Sequence, residues 1–120
     1  MIRLIQRRLI IPRGDTGSFT IPTQGTVGNG DIAVFSIYDP MIQKTVFEKQ
    51  VSATAETLEI PFTHEDTVGI APKKYLWDIK IYKNPQYDEE GLLIGGDEIN
   101  SYYAAFSLPI CEIKEVAQDV

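Results

Sequence analysis

The stretch "YLWDIKIYK" constrains the fold more than any other part of this chain. Tyr75, Trp77, Ile79 and Ile81 fall in one phase, and Asp78, Lys80 and Tyr82 in the other. A period of two turns one set toward a core and the other toward water, as in a half-buried strand. The same period recurs along the chain. "DIAVFSIYD" sets Ala33, Phe35 and Ile37 against Ile32, Val34 and Tyr38, and apolar residues on both faces suit a central strand. "KTVFEKQVS" aligns Phe47 and Val51 opposite Glu48 and Gln50. "ETLEIPF" puts Leu58, Ile60 and Phe62 in step, while Pro61 points to an edge strand or a strand end. "NSYYAAFSL" and "ICEIKEV" read as the last strands. The turn signals "GNGD", "YDPM", "KNPQYDEEG" and "IGGDE" separate these runs. Amphipathic periodicity of helical type is absent, apart from a turn at the C-terminus. The expected fold is all-β: one antiparallel, immunoglobulin-like β-sandwich of about 7–9 short strands spanning residues 1–120.

Composition agrees with one ordinary globular domain. The apolar share is 43% and the charged share 23%. A formal net charge of −6 argues against a general affinity for nucleic acid. Charge is unevenly placed. Residues 1–14 hold Arg3, Arg7, Arg8 and Arg13 with no acid. Residues 86–120 hold eight acids (Asp88, Glu89, Glu90, Asp97, Glu98, Glu112, Glu115 and Asp119) against Lys114 alone. Such asymmetry can guide docking between copies or with a partner, with Arg3, Arg7 and Arg8 as the candidate interface. The single Cys111 forms no internal disulfide and sits in an apolar run, so it reads as a small core residue. No apolar run approaches the roughly 20 residues that cross a bilayer, and Pro12 and Arg13 interrupt the opening apolar run well short of a secretory signal. Folding in a cytoplasm, away from membranes, is the expectation.

Several short strings invite a chemical reading. "GGDEI" (Gly95–Ile99) resembles the signature hairpin of diguanylate cyclases, yet that family stands on an α/β domain and Gly95 is surrounded here by strands and acidic turns. Two glycines capping a hairpin suffice, and Asn84–Glu98 reads as a long acidic loop. "THED" holds the only histidine, His64, and a structural zinc site needs four ligands. Plain surface is the simpler reading. "GTVGNGD" (Gly25–Asp31) lacks both the dinucleotide spacing and a P-loop lysine. No catalytic residue, metal or cofactor is expected.

"IIPRGDTGSFTIP" contains R-G-D, the tripeptide that integrins grip. With only three residues between Asp15 and Phe19, Arg13, Gly14, Asp15 and Thr16 read instead as a structural turn. Gly14 gives torsional freedom, and Asp15 can bond its own backbone. In "DTVGIAPKKYLWDI", Ile70, Pro72 and Tyr75 resemble the corner of immunoglobulin-like domains, where a tyrosine hydroxyl bonds back to the preceding loop. Tyr75, Trp77, Ile79 and Ile81 are then core and corner residues.

Taken in order, the N-terminal strand, "RGDT" (Arg13–Thr16) and "HEDTVGIAPKKYLWDIKIY" resemble the N-terminal β-sandwich of phage baseplate upper proteins and related tail domains. The second stretch matches through Asp66, Thr67, Pro72, Tyr75, Trp77, Asp78 and Ile79, and the similarity spans roughly residues 4–83. The resemblance implies a non-catalytic, phage- or prophage-encoded tail or baseplate structural protein. It would assemble in the bacterial cytoplasm, reside in the virion, and dock other tail proteins or copies of itself as an oligomer. A free-standing immunoglobulin-like module that binds carbohydrate or protein is the alternative. A sugar binder would present two or three of Trp77, Tyr82, Tyr87, Tyr102 and Tyr103 to solvent.

Overall fold

The computed structural model describes residues 1–22, 30–53, 57–99 and 109–116. The expected strand Asn100–Leu108, most of the glycine-rich string Gly25–Asp31 and the C-terminal turn lie outside them. The described residues form nine strands and one short helix: β1 (Arg3–Ile5), β2 (Arg8–Pro12), β3 (Gly17–Pro22), β4 (Asp31–Asp39), β5 (Lys44–Ala53), β6 (Thr57–Phe62), α1 (His64–Thr67), β7 (Lys73–Tyr87), β8 (Leu93–Ile99) and β9 (Ile110–Lys114). The protein is all-β. One sheet has the order β1-β2-β9-β7-β4-β5, with β8 added to β7, and β3 and β6 form a separate pair.

The inner faces of the two sheets share one core. Leu9 and Ile11 of β2, Cys111 and Ile113 of β9, the phase Tyr75, Trp77, Ile79 and Ile81 of β7, and Ala33, Phe35 and Ile37 of β4 come from the large sheet. Phe19 and Ile21 of β3 meet them with Leu58, Ile60 and Phe62 of β6. Five rings knit the sheets at edge-to-face and tilted angles, among them Phe19 over Trp77 (5.8 Å between centroids) and Phe35 over Phe62 (5.6 Å). Pro61 lies in the two-stranded sheet, where its missing donor is harmless. β4 is flanked on both sides, by β5 and β7, as its two apolar faces require.

One pairing departs from an all-antiparallel arrangement. β2 runs parallel to β9, with Leu9 opposite Cys111 and Ile11 opposite Ile113. The large sheet is therefore mixed. A parallel pair needs a long connection, and here almost the whole chain supplies it. β2 forms a tight hairpin with β1 and then leads through a turn into the other sheet, so no hairpin sets its direction relative to β9.

The segment after Lys83 also differs from expectation. Asn84–Glu98 is no loop: β7 continues to Tyr87, and β8 returns beside it. Gly95 and Gly96 sit inside β8 rather than at the hairpin tip, which is the turn Asp88–Leu92. The reason is a close backbone approach. A Cβ on Gly96 would stand 3.0 Å from the Lys83 carbonyl oxygen and 3.1 Å from Pro85 Cα, where the pairing is irregular.

Candidate functional site

The R-G-D-T turn leaves the end of β2. The Arg13 N–H donates to the Lys114 carbonyl at 2.8 Å, and the Asp15 N–H closes the turn onto the Pro12 carbonyl at 3.0 Å. Gly14 takes φ +78°, which favours glycine. Its N–H donates to the Thr67 hydroxyl oxygen, and its carbonyl oxygen lies 2.8 Å from His64 Nδ1. Both charged members of the tripeptide are engaged locally. Arg13 lies 3.2 Å from Glu115, and Asp15 lies 3.0 Å from the amino group of Met1. Thr16 is exposed.

The partner of this turn is α1, a single helical turn. The Thr63 N–H donates to the Asp66 carboxylate at 2.8 Å, satisfying a donor that a helix start leaves open. Lys49 of β5 reaches the same carboxylate at 2.7 Å and the Pro61 carbonyl at 2.8 Å. Burial pushes the Asp66 carboxyl upward. The Lys49 and Thr63 hydrogen bonds outweigh it and hold the group below the usual carboxylate range. The Thr63-x-x-Asp66 spacing is a capping signal in the sequence; reading "THED" only for metal ligands passed over it. His64 is exposed, yet it contacts the turn.

Next comes the tyrosine. The Tyr75 hydroxyl donates to the Ala71 carbonyl, four residues back. Burial raises the Tyr75 pKa, keeping the hydroxyl protonated as this bond requires. Two residues on, the fully buried Trp77 donates its indole N–H to the Arg7 carbonyl at 3.1 Å. Ile79 and Ile81 continue the buried phase. Turn, helix and tyrosine thus form one continuous corner.

The three N-terminal arginines have different surroundings. Arg3 is exposed on β1, the last strand of its sheet. Arg7 supplies its carbonyl to Trp77. Arg8 is spent within the domain on Glu112, whose carboxyl its hydrogen bond holds below the usual range.

Two open surfaces stand out among the described residues. The outer face of β4, β5 and β7 carries a shallow groove of about 240 Å³ with Ser36, Glu48, Asp78 and Lys80 along it and half-buried Tyr38 and Tyr82 on its walls. Ligand pockets usually enclose about 300–1,000 Å³, so this groove is small for a buried ligand. The second surface is the arm made by the far half of β7 with β8. Beyond Tyr82, β7 has outrun β4 and, among the described residues, pairs only with β8. Asp88 shapes the tip by accepting hydrogen bonds from the Glu90 and Leu92 N–H groups at 2.9 Å each. Tyr87, Leu92 and Ile94 are exposed along it. Leu92 and Ile94 were not distinguished in the sequence, because their stretch read as loop.

Of the aromatic residues proposed for a sugar platform, Tyr102 and Tyr103 lie outside the described residues, and Trp77 is in the core. Among the described residues, no three His, Cys, Asp or Glu side chains converge as metal ligands, and no helix is long and apolar enough to cross a membrane. Comparison with known families, curated proteins and solved structures gives no match.

Proposed function

We propose that this chain is a non-catalytic structural component of a phage or prophage tail or baseplate, an immunoglobulin-like sandwich that works by docking other proteins. One observation carries the reading. The two stretches on which the resemblance rests, Arg13–Thr16 and the run from His64 to Tyr82, meet in space through the Gly14–Thr67 and His64–Gly14 contacts. Residues some 50 positions apart are thus parts of a single corner, which supports reading the two stretches together.

The immunoglobulin-like assignment draws on strand order. β4, β7 and β9 fit the C, F and G strands, β5 an added C′, and β3 and β6 the B and E strands of the facing sheet. Tyr75 stands at the start of the F-like strand with its hydroxyl bonded upstream, as in a tyrosine corner. The mixed pairing then arises because the first strands join the C–F–G sheet. Docking is supported by the arm, which holds apolar side chains in water where a folded domain alone has no use for them. A free-standing binding module of the same fold is the second reading, favoured by Tyr38 and Tyr82 on the walls of the outer groove.

Immunogold labelling of particles released by cells that carry the gene tests the proposal. Label on tails or baseplates is expected. Its absence from purified particles, with the protein abundant in the same cells, would overturn the virion reading. Saturable binding to immobilised glycans would favour the second.

A further inference from the structure

We infer that this domain associates head to tail with a second copy of itself, the β7–β8 arm of one copy seating on the β1–β2 edge of the next. The inference rests on the docking reading above and names the partner.

Tyr87, Leu92 and Ile94 are 47%, 61% and 64% exposed on the arm. Asp88, Glu89 and Glu90 stand between them, and no Lys or Arg occurs from Tyr87 to Ile99. The arm is therefore apolar and acidic together. The complementary surface is at the other end of the molecule. β1 closes its sheet, so one side of its backbone has no neighbouring strand among the described residues. Arg3 and Ile5 stand on it, Ile5 being 50% exposed, and Arg3 makes no ion pair among the described residues. This surface is apolar and basic.

Register fixes the separation of the two surfaces. Arg3 pairs with Ile10, Ile10 with Glu112, and Glu112 with Lys74, near the start of β7. The arm tip follows Tyr87, at the end of the same strand. At about 3.3 Å per residue, 13 residues of strand span roughly 40 Å. The long dimension of the domain is 46 Å. An arm cannot reach its own edge. Nor do two arms suit one another, since tip against tip would face three carboxylates with three more. Opposite charge with apolar side chains on both sides is satisfied by arm against edge, a heterologous contact that closes into rings or extends into filaments.

Sedimentation velocity on the full chain, over a wide concentration range and at ionic strengths from roughly 0.05 M to about 1 M, is the test. Species larger than the monomer should grow with concentration at low salt. The association constant should fall at least about tenfold at high salt, where the screening length shrinks to ~3 Å. Leu92→Glu with Ile94→Glu should be monomeric, and so should Arg3→Glu with Ile5→Glu. All four sites are exposed or at an edge, and unchanged Trp77 emission will show that each variant is folded. The deciding sample is an equimolar mixture of the two double variants. Each retains one intact surface, so 1:1 dimers should form, with nothing larger. As a second route, Glu89→Lys and Glu90→Lys should disrupt association alone and restore it when combined with Arg3→Glu. A parent that stays monomeric at every concentration and salt overturns the inference. So does a mixture that forms no dimer, or an arm variant that self-associates like the parent. None of these outcomes bears on particle labelling, and labelled particles do not rescue a strict monomer.

Discussion

The Gly14 N–H donates to the Thr67 hydroxyl at 2.8 Å, tying a turn near the start of the chain to a one-turn helix 53 residues later. Thr67 is fully buried, so its hydroxyl has no water to fall back on. Thr67→Val keeps the volume and removes the acceptor, and should cost about 1–3 kcal/mol. Thr67→Ser keeps the acceptor and loses only a methyl, for about 0.5–1.5 kcal/mol. Urea titrations of both variants check the ordering. Equal midpoints for Val and the parent would show that the bond contributes nothing.

Gly14→Ala tests the same corner from the other side. A Cβ there would stand 3.0 Å from the His64 ring in a backbone of φ +78°. The exposed imidazole can swing away, which leaves mainly the torsional penalty of about 1–2 kcal/mol. A loss of the His64–Gly14 contact should accompany it, visible as a changed His64 ring signal in proton NMR. An alanine variant as stable as the parent would contradict the turn geometry.

Trp77 and Tyr75 share a strand face but contribute differently. Trp77→Ala removes a fully buried indole packed on Phe19 and Phe35 and should cost about 3–5 kcal/mol. Tyr75→Phe leaves the ring in place, deletes the bond to Ala71, and should cost about 0.5–1.5 kcal/mol. Since Trp77 is the sole tryptophan, its emission reports folding directly. A red, water-like maximum in the native protein would refute its placement.

Local pattern made much of this architecture legible. The buried phase of β7, the two apolar faces of β4 and the edge character of β6 follow from which residues alternate and where proline stands. The rest depends on non-local facts. Nothing in "RRLIIP" or "ICEIKEV" specifies that Leu9 will stand beside Cys111 in a parallel pair, because register between the first and last strands is set by burial of the assembled core. The arm was misread because Asn84, Pro85 and paired glycines normally end strands. Here Asn84 takes φ +50° and the irregular pairing absorbs the proline. α1 is too short to show a helical period. Its capping residues Thr63 and Asp66 were the available signal, visible once "THED" is considered as backbone chemistry.

Cys111 should be inert. It is fully buried, and burial, with Glu112 next to it, pushes the thiol pKa up to about 12. The thiolate is the reactive form, so the native protein at neutral pH should not react with a disulfide reagent on the timescale of minutes. One thiol per chain should appear in denaturant. Rapid native labelling would mean that β9 opens locally, loosening the parallel pair with β2.

Acid should destabilise the domain through identifiable pairs. Hydrogen bonding to Lys73 holds the Asp39 carboxyl below its ordinary value, and the Arg8 contact does the same for Glu112. For Asp66, burial acts upward and is outweighed by Lys49 and Thr63. In all three, the folded group binds its proton less readily than the unfolded one, whose pKa lies near 4. Stability from these pairs is thus fully present above about pH 5 and is lost as pH falls through the lowered folded values. Lys49→Met isolates one pair. Its apolar stem can still cover the Phe62 ring, which the Lys49 ammonium overlies at 5.9 Å, while the positive charge that pairs with the Asp66 carboxylate is removed. The variant should be less stable than the parent at pH 7 and should lose less on acidification, so that the two curves converge between roughly pH 4 and pH 2. Parallel curves from thermal melts across this range would show that Lys49 does not set the Asp66 titration.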